Sequence, residues 1–286
     1  MPKSIFAFDT KVIRSPQAEL GESPIWCHHT NSLLWVDIKK GKLFRLYPDL
    51  SDVIEIQDIP ILTSAVLPTN IKNFFILINI DGVYVLNYKT KELSIYFEFE
   101  FNNGGIRTNE CQISPDGNIF ISVMDKNANN PIGMIYEFNV KRKELNCIHS
   151  NLLIPNTMQW FGGGFWFADS GRKAFYRKDL NTNEIEEYPV NYIADGSVLT
   201  KDGVLINACW GDKCLALYDL NNSMQLIGRI IVDSSQPTSC IFSGIDNSTL
   251  YVTSAYDGLK KITTNDGRVT SIKTSFIGQP SNTFVL

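Results

Sequence analysis

The chain has 286 residues, 44% of them hydrophobic, and a formal net charge of −4. That length buries a large core, as one big β domain or as two ordinary domains. Slight acidity without a Lys/Arg run argues against a surface that tracks phosphates, so nucleic acid is not an expected partner. No window approaches the ~20 apolar residues of a membrane span, and Met1 to Asp9 hold no apolar run of signal-peptide length. A cytoplasmic protein with no membrane partner is the expectation.

In chain order, the sequence repeats one phrase: an apolar, aromatic-rich strand, a turn with Gly or Asp, then a second strand. The first instance is Leu33-Leu34-Trp35-Val36, turning at Lys40-Gly41 into Leu43-Phe44-Arg45-Leu46. The second is Phe74-Phe75-Ile76-Leu77, turning at Asp81-Gly82 into Val83-Tyr84-Val85-Leu86. The third, from Ile119, makes a longer polar excursion through Asp125 to Pro131 before Met134 to Phe138. The fourth starts at Phe165, after the turn Gly162-Gly163-Gly164, and the fifth at Val204. The sixth is Leu250-Tyr251-Val252-Thr253, turning at Asp257-Gly258 into Leu259-Lys260-Lys261-Ile262.

Their starting points are separated by 41, 45, 46, 39 and 46 residues. A strand-rich period in the forties is what a four-stranded propeller blade produces. Helical periodicity is nearly absent, and a sandwich would not share so long a period. The expected fold is therefore an all-β six-bladed propeller of four-stranded antiparallel blades, one domain over 1–286. The strand-like ends Lys11 to Arg14 and Val269 to Lys273 are expected to share a blade and close the ring.

The six cysteines include no Cys-x-x-Cys pair and are read as reduced and mostly buried. With three histidines and no His-Glu-x-x-His, a zincin is excluded, and no Gly-x-Ser-x-Gly elbow suggests an α/β-hydrolase.

The inner strand of each blade should precede each phrase by about ten residues. Counting back gives Glu22, Ser64, Asn109, Asn156, Asp195 and Ser239. Singly, each reads as a turn residue or a solvated strand edge. Together, at one phase of one repeat, Glu22, Asn109, Asn156 and Asp195 face one end of a central channel. Two carboxylates and two carboxamides without Cys or His suit a hard divalent cation: Ca²⁺ first, with Mg²⁺ or Mn²⁺ next and Zn²⁺ as a further alternative.

At these residues the chain resembles the senescence marker protein/gluconolactonase/luciferin-regenerating enzyme family, also called regucalcin-like. The resemblance is carried by Leu20-Gly21-Glu22-Ser23-Pro24-Ile25-Trp26, Arg107-Thr108-Asn109-Glu110, Ile154-Pro155-Asn156, Ala194-Asp195-Gly196 and Pro237-Thr238-Ser239-Cys240, and it spans about residues 13 to 260. It implies a six-bladed propeller with one catalytic divalent metal, held by Glu22, Asn156 and Asp195, and hydrolysis of a small-molecule sugar lactone. It also implies that Arg107 and Asn109 face the substrate and that Asn127 stands near the sugar hydroxyls. Asp195 is the candidate general base. The chain departs from the family's Asn-Asp-Gly at Asn109-Glu110-Cys111 and from its Asn-Gly at Asn156-Thr157. Two alternatives stay open: a metal-dependent esterase acting on non-sugar lactones, aryl esters or organophosphates, and a non-enzymatic calcium-binding propeller. A monomer or weak homodimer is expected. Trp26, Trp160 and Trp210 are read as propeller core.

Overall fold

The computed structural model describes residues 4–101, 104–244 and 246–286. Six antiparallel sheets stand around a central channel. Their inner strands are Gly21–Cys27, Ala65–Pro68, Ile106–Ile113, Pro155–Phe161, Ile193–Leu199 and Gln236–Ser243, in blades one to six. Neighbouring inner strands pack against each other around the ring.

The core is not in the middle. Six buried apolar clusters occupy the six interfaces between neighbouring blades. This placement follows from the sequence. Second strands such as Ser32–Asp37 are buried along their whole length, because each is covered on both faces by adjacent blades. A strand covered on both faces needs an unbroken apolar run rather than an alternating one. Outer strands such as Val53–Asp58 are mostly exposed. With most apolar burial satisfied between blades, the channel can admit polar side chains beside apolar ones.

Blade six closes the ring: Asp9–Val12 from the N-terminal end pairs antiparallel with Thr270–Lys273 near the C-terminal end. Ser4–Ile5 adds a parallel fifth strand to blade five. The expected second strand of the sixth phrase, residues 259–262, is not a strand. Thr249–Ala255 pairs instead with Thr270–Lys273, and 259–262 belong to the connection, with Lys260, Lys261 and Ile262 exposed. That connection is pinned by the buried Asp266 carboxylate, which accepts the N–H groups of Ser235 at 2.6 Å and Thr263 at 2.7 Å and the Thr263 hydroxyl at 2.8 Å. Local apolar residues gave Leu259 and Ile262 the look of a strand, but Thr270–Lys273 takes the place beside Thr249–Ala255, with Asp9–Val12 outside it.

Five cysteines are buried and Cys147 is exposed, all as free thiols. Among the described residues no helix is long and apolar enough to cross a membrane.

Candidate active site

Five of the six inner strands carry the same irregularity. Each breaks register with its neighbour by one extra residue: after Glu22, after Thr108, after Asn156, after Ala194 and after Pro237. A bulge of this kind re-aims side chains that would otherwise alternate across the sheet. Glu22 and Asn156 take the first position of the irregularity, Asn109 and Asp195 the second. The residues after the first two, Ser23 and Thr157, sit at φ of 50° and 51°. For a β-branched residue this is strained backbone, held only where the surroundings insist on it. Thr157 is so held: its Oγ1 donates to the Asp195 carbonyl at 2.5 Å and accepts from Asn207 Nδ2 at 3.0 Å. After Asp195, Gly196 is required by a close approach, since a Cβ there would lie 2.3 Å from Ser239 Oγ.

Carboxylates at the ends of two second strands fix the entry to the inner strands. Asp37 accepts the N–H groups of Glu19 at 2.7 Å and Leu20 at 3.2 Å, just before Glu22. Asp169 accepts those of Leu153 at 2.9 Å and Ile154 at 3.1 Å, just before Asn156. The matching Asp125 turns instead into its own loop, accepting from the N–H groups of Asn127, Asn129 and Asn130.

A cavity of ≈ 240 Å³ opens at this end of the channel, and its polar lining includes Glu22, Arg107, Asn109, Asn156 and Asp195. Five of the eight residues singled out from the sequence thus line one cavity. Asn127 does not: it is exposed, and the neighbouring Ala128 faces the cavity. Ser64 and Ser239 do not join either. Ser64 Oγ donates to Thr108 Oγ1 at 2.8 Å, and Ser239 lines a separate cavity toward the other end of the channel. Trp26 is core, stacked on Tyr251. Trp160 and Trp210 also pack against buried clusters between blades, and each has a further face on a cavity, Trp160 at the other end and Trp210 at this one.

Hydrogen-bond direction through the site is fixed by chemistry. Arg107 has only donors, and its Nη1 donates to Asn109 Oδ1 at 2.7 Å and to the Thr108 carbonyl at 2.9 Å. The Asn109 amide nitrogen therefore faces the other way and donates to Asn156 Oδ1 at 2.9 Å and the Pro155 carbonyl at 3.1 Å. Asn156 Nδ2 in turn donates to Ser170 Oγ at 2.9 Å, and Ser170 donates its hydroxyl proton to the Ala194 carbonyl. Neither carboxamide can flip without breaking the relay.

The electrostatics are strongly unbalanced. Glu22 accepts only a 3.3 Å bond from the Ser23 N–H, and its pKa is held well above the carboxylate range by burial and by the charges of Asp195 and Glu110. Asp195 is raised well above its usual value by burial and then by Glu110. Glu110, buried and bonded to Gln112 Nε2 at 2.9 Å, is pushed up to about 7 by burial. Burial lowers the Arg107 pKa, against the opposing charges of Glu22, Asp195 and Asp257. One arginine faces a carboxylate cluster it cannot neutralise.

The residues present fit a divalent cation. The donors are oxygens, and two carboxyl groups with few hydrogen-bond partners both face the cavity, where a cation would favour their ionised form. Among the described residues no three of His, Cys, Asp and Glu converge as a ligand set, so the Asn156 carboxamide is needed to complete one. Ser170, Glu110 and Trp210 are participants that the sequence did not reveal. Ser170 bonds across to the neighbouring blade and Glu110 acts through its buried charge on Glu22 and Asp195, so only contact between blades exposes their roles.

Comparison with known proteins agrees with this fold. The family model described as SMP-30/Gluconolactonase/LRE-like region matches residues 20–256. Regucalcin of Danio rerio is 26% identical over 256 residues, covering 84% of each chain. Pentonolactonase XacC of Haloferax volcanii is 25% identical over 263 residues, covering 86% of this chain and 84% of its own. The crystal structure of a calcium-binding protein, regucalcin, from Agrobacterium tumefaciens superposes with a TM-score of 0.90 at 25% identity, covering 99% of both chains. The chain belongs to the SMP-30/gluconolactonase/LRE-like family.

Proposed function

We propose that the protein is a divalent-metal-dependent lactonase, opening a small-molecule lactone by attack of water on the ring carbonyl. The observation that carries the reading is the convergence of Glu22, Asn156 and Asp195 beside Arg107 on one cavity. The names of relatives support lactone hydrolysis: one is a pentonolactonase. They make sugar lactones the first class to try. The calcium-binding regucalcin neighbour supports an ion in the cage, with Ca²⁺ the first candidate.

Glu22, Asn156 and Asp195 would hold the ion through their side-chain oxygens. When bound, such an ion polarises a carbonyl and lowers the pKa of water. Asp195 is the proton carrier. One of its oxygens takes a proton from the attacking water as the new C–O bond forms. The tetrahedral oxyanion then collapses, the ring C–O bond breaks, and Asp195 returns the proton to the leaving ring oxygen. The product is a hydroxy acid, which ionises at neutral pH. Arg107 steers the oxygen-rich end of the substrate and holds Asn109 in place.

The test is Asp195→Asn, an isostere that keeps the shape and loses the base. Turnover falls by about 10²–10⁴-fold while the fold is kept. Full lactonase activity in that variant removes Asp195 from the mechanism.

A further inference from the structure

A hydroxyl group both donates and accepts, so a cavity that takes a hydroxylated lactone must offer both kinds of partner. Burying a hydroxyl with one of them missing is costly. Beyond the candidate cage, the free donors in this cavity belong to Arg107. Its Nη1 serves Thr108 and Asn109, while Nε and Nη2 carry no bond within the protein. A guanidinium cannot accept. Acceptors are scarcer. Asn109 Oδ1 takes the Arg107 proton, Asn156 Oδ1 takes that of Asn109, and the Ser170 hydroxyl is closed between Asn156 and Ala194.

Apart from Glu22 and Asp195, Asp257 is the one acid lining the cavity among the described residues. It stands in the turn that follows the second strand of blade six, Thr249–Ala255. Acids also end the second strands of blades one, three and four, but backbone N–H groups occupy both oxygens of Asp37, Asp125 and Asp169. Asp257 differs. Its Oδ1 accepts from Lys39 Nζ at 2.6 Å, and its Oδ2 has no partner. The residue is nevertheless firmly placed. Its N–H donates to the Glu19 carbonyl at 3.0 Å, and its own carbonyl accepts from the buried Gln236 Nε2 at 2.9 Å. Its charge reaches Arg107. An Asp–Lys pair near the surface contributes little to stability, so the fold gives weak reason for a free carboxylate oxygen here.

We infer that Asp257 is a specificity-determining residue, its Oδ2 accepting a proton from a ring hydroxyl of the lactone while the ring carbonyl sits over the cage. The inference rests on the lactonase reading and names a residue that reads the hydroxyls of the substrate. Lys39 decides which atom does so: an ammonium only donates, so it claims one oxygen and leaves the other to the ring. In Asp257→Asn, Lys39 would claim the amide oxygen in the same way. The NH2 group would then face the ring where an acceptor is needed.

The experiment measures kcat and KM on the Ca²⁺-supplemented protein for two pairs of rings: glucono-δ-lactone against δ-valerolactone, and xylono-γ-lactone against γ-butyrolactone. Acid release is followed above the spontaneous rate, and a bare ring too slow to follow is measured as a competitor of its hydroxylated partner. Asp257→Asn should act mainly on KM and lower kcat/KM for the hydroxylated rings about 10–100-fold, the loss of one hydrogen bond to a charged group. The bare rings should stay within about twofold, since they never made that bond. Adding Lys39→Ala to Asp257→Asn frees the amide to turn its oxygen toward the ring and should recover several-fold of the loss. An equal loss on both members of a pair, or no loss on either, overturns the inference and leaves a lactonase standing. So does a parent that opens only the bare rings. A parent that opens none of the four overturns the lactonase reading and the inference with it.

Discussion

Asn156 Nδ2 donates to Ser170 Oγ at 2.9 Å, and the Ser170 hydroxyl proton goes to the carbonyl of Ala194, the residue before Asp195. One buried hydroxyl therefore ties together two candidate ligands from adjacent blades. It also decides which end of the Asn156 carboxamide faces the cavity. Ser170→Ala removes that constraint. Divalent-metal affinity should fall about 10–100-fold, as it does when a ligand loses its supporting partner. Metal-free stability should fall by only about 1 kcal/mol, the loss of an ordinary hydrogen bond. Calorimetric titration with Ca²⁺ and a metal-free melt separate the two effects. Unchanged affinity would reduce Ser170 to a packing role.

The carboxylate cluster makes a pH prediction. The Glu110 pKa is raised by burial to about 7 in the folded chain. The folded state therefore holds a proton that the unfolded state has lost between about pH 4.5 and 7, so stability falls as pH rises through that window. Glu22 and Asp195 are raised too and act in the same direction. Chelator-treated protein should lose on the order of 3 kcal/mol through Glu110 alone between pH 4.5 and 8. A divalent ion that neutralises the cluster should flatten the dependence, and its binding should release protons. Melts at several pH values, with and without Ca²⁺, check this.

Asp195→Asn should also stabilise the metal-free protein above neutral pH, because it deletes a buried acid that is itself raised by burial and by Glu110 and whose charge raises Glu22. The gain should vanish when Ca²⁺ is present, since the ion then lacks a charged ligand. A variant less stable than the parent without metal at pH 8 would contradict the electrostatic account of the cage.

Blade six gives a prediction about stability alone. Asp266 is buried and accepts from Ser235 and Thr263. Asp266→Ala should cost about 2–3 kcal/mol, as expected for losing hydrogen bonds to a charged acceptor. Lys260→Ala and Lys261→Ala, in the exposed connection, should stay within about 0.5 kcal/mol. Urea unfolding midpoints distinguish the three. A large loss at either lysine would mean that 259–262 carries strand pairing after all.

Most of the architecture was legible because a propeller writes its period into the chain: strands such as Leu33 to Val36 and Phe165 to Ala168 recur at nearly constant spacing. The sixth blade was read correctly at Leu250 and at both chain ends, and misread at Leu259 to Ile262. There a local apolar pair stood where the chain passes over, and Thr270–Lys273 supplies instead the strand that joins Thr249–Ala255 to the N-terminal Asp9–Val12. Glu22, Asn109, Asn156 and Asp195 were legible for the same reason, as one phase of a repeat. Ser239 fell one residue past that phase, and its side chain turned toward the other end of the channel. Ser170 could not be found this way, since it acts from the end of a second strand on the neighbouring blade. Trp210 was read as core and does pack against a cluster between blades; that it also lines the cavity was not legible.

The most direct test of the central claim uses protein stripped with a chelator and given a panel of lactones, with Ca²⁺, Mg²⁺, Mn²⁺ or Zn²⁺ restored in turn. The account predicts no acid release above the spontaneous rate without metal and turnover on at least one lactone once a divalent ion is restored. Turnover that persists undiminished in the stripped protein, or none with any metal despite one bound ion per chain, would contradict it.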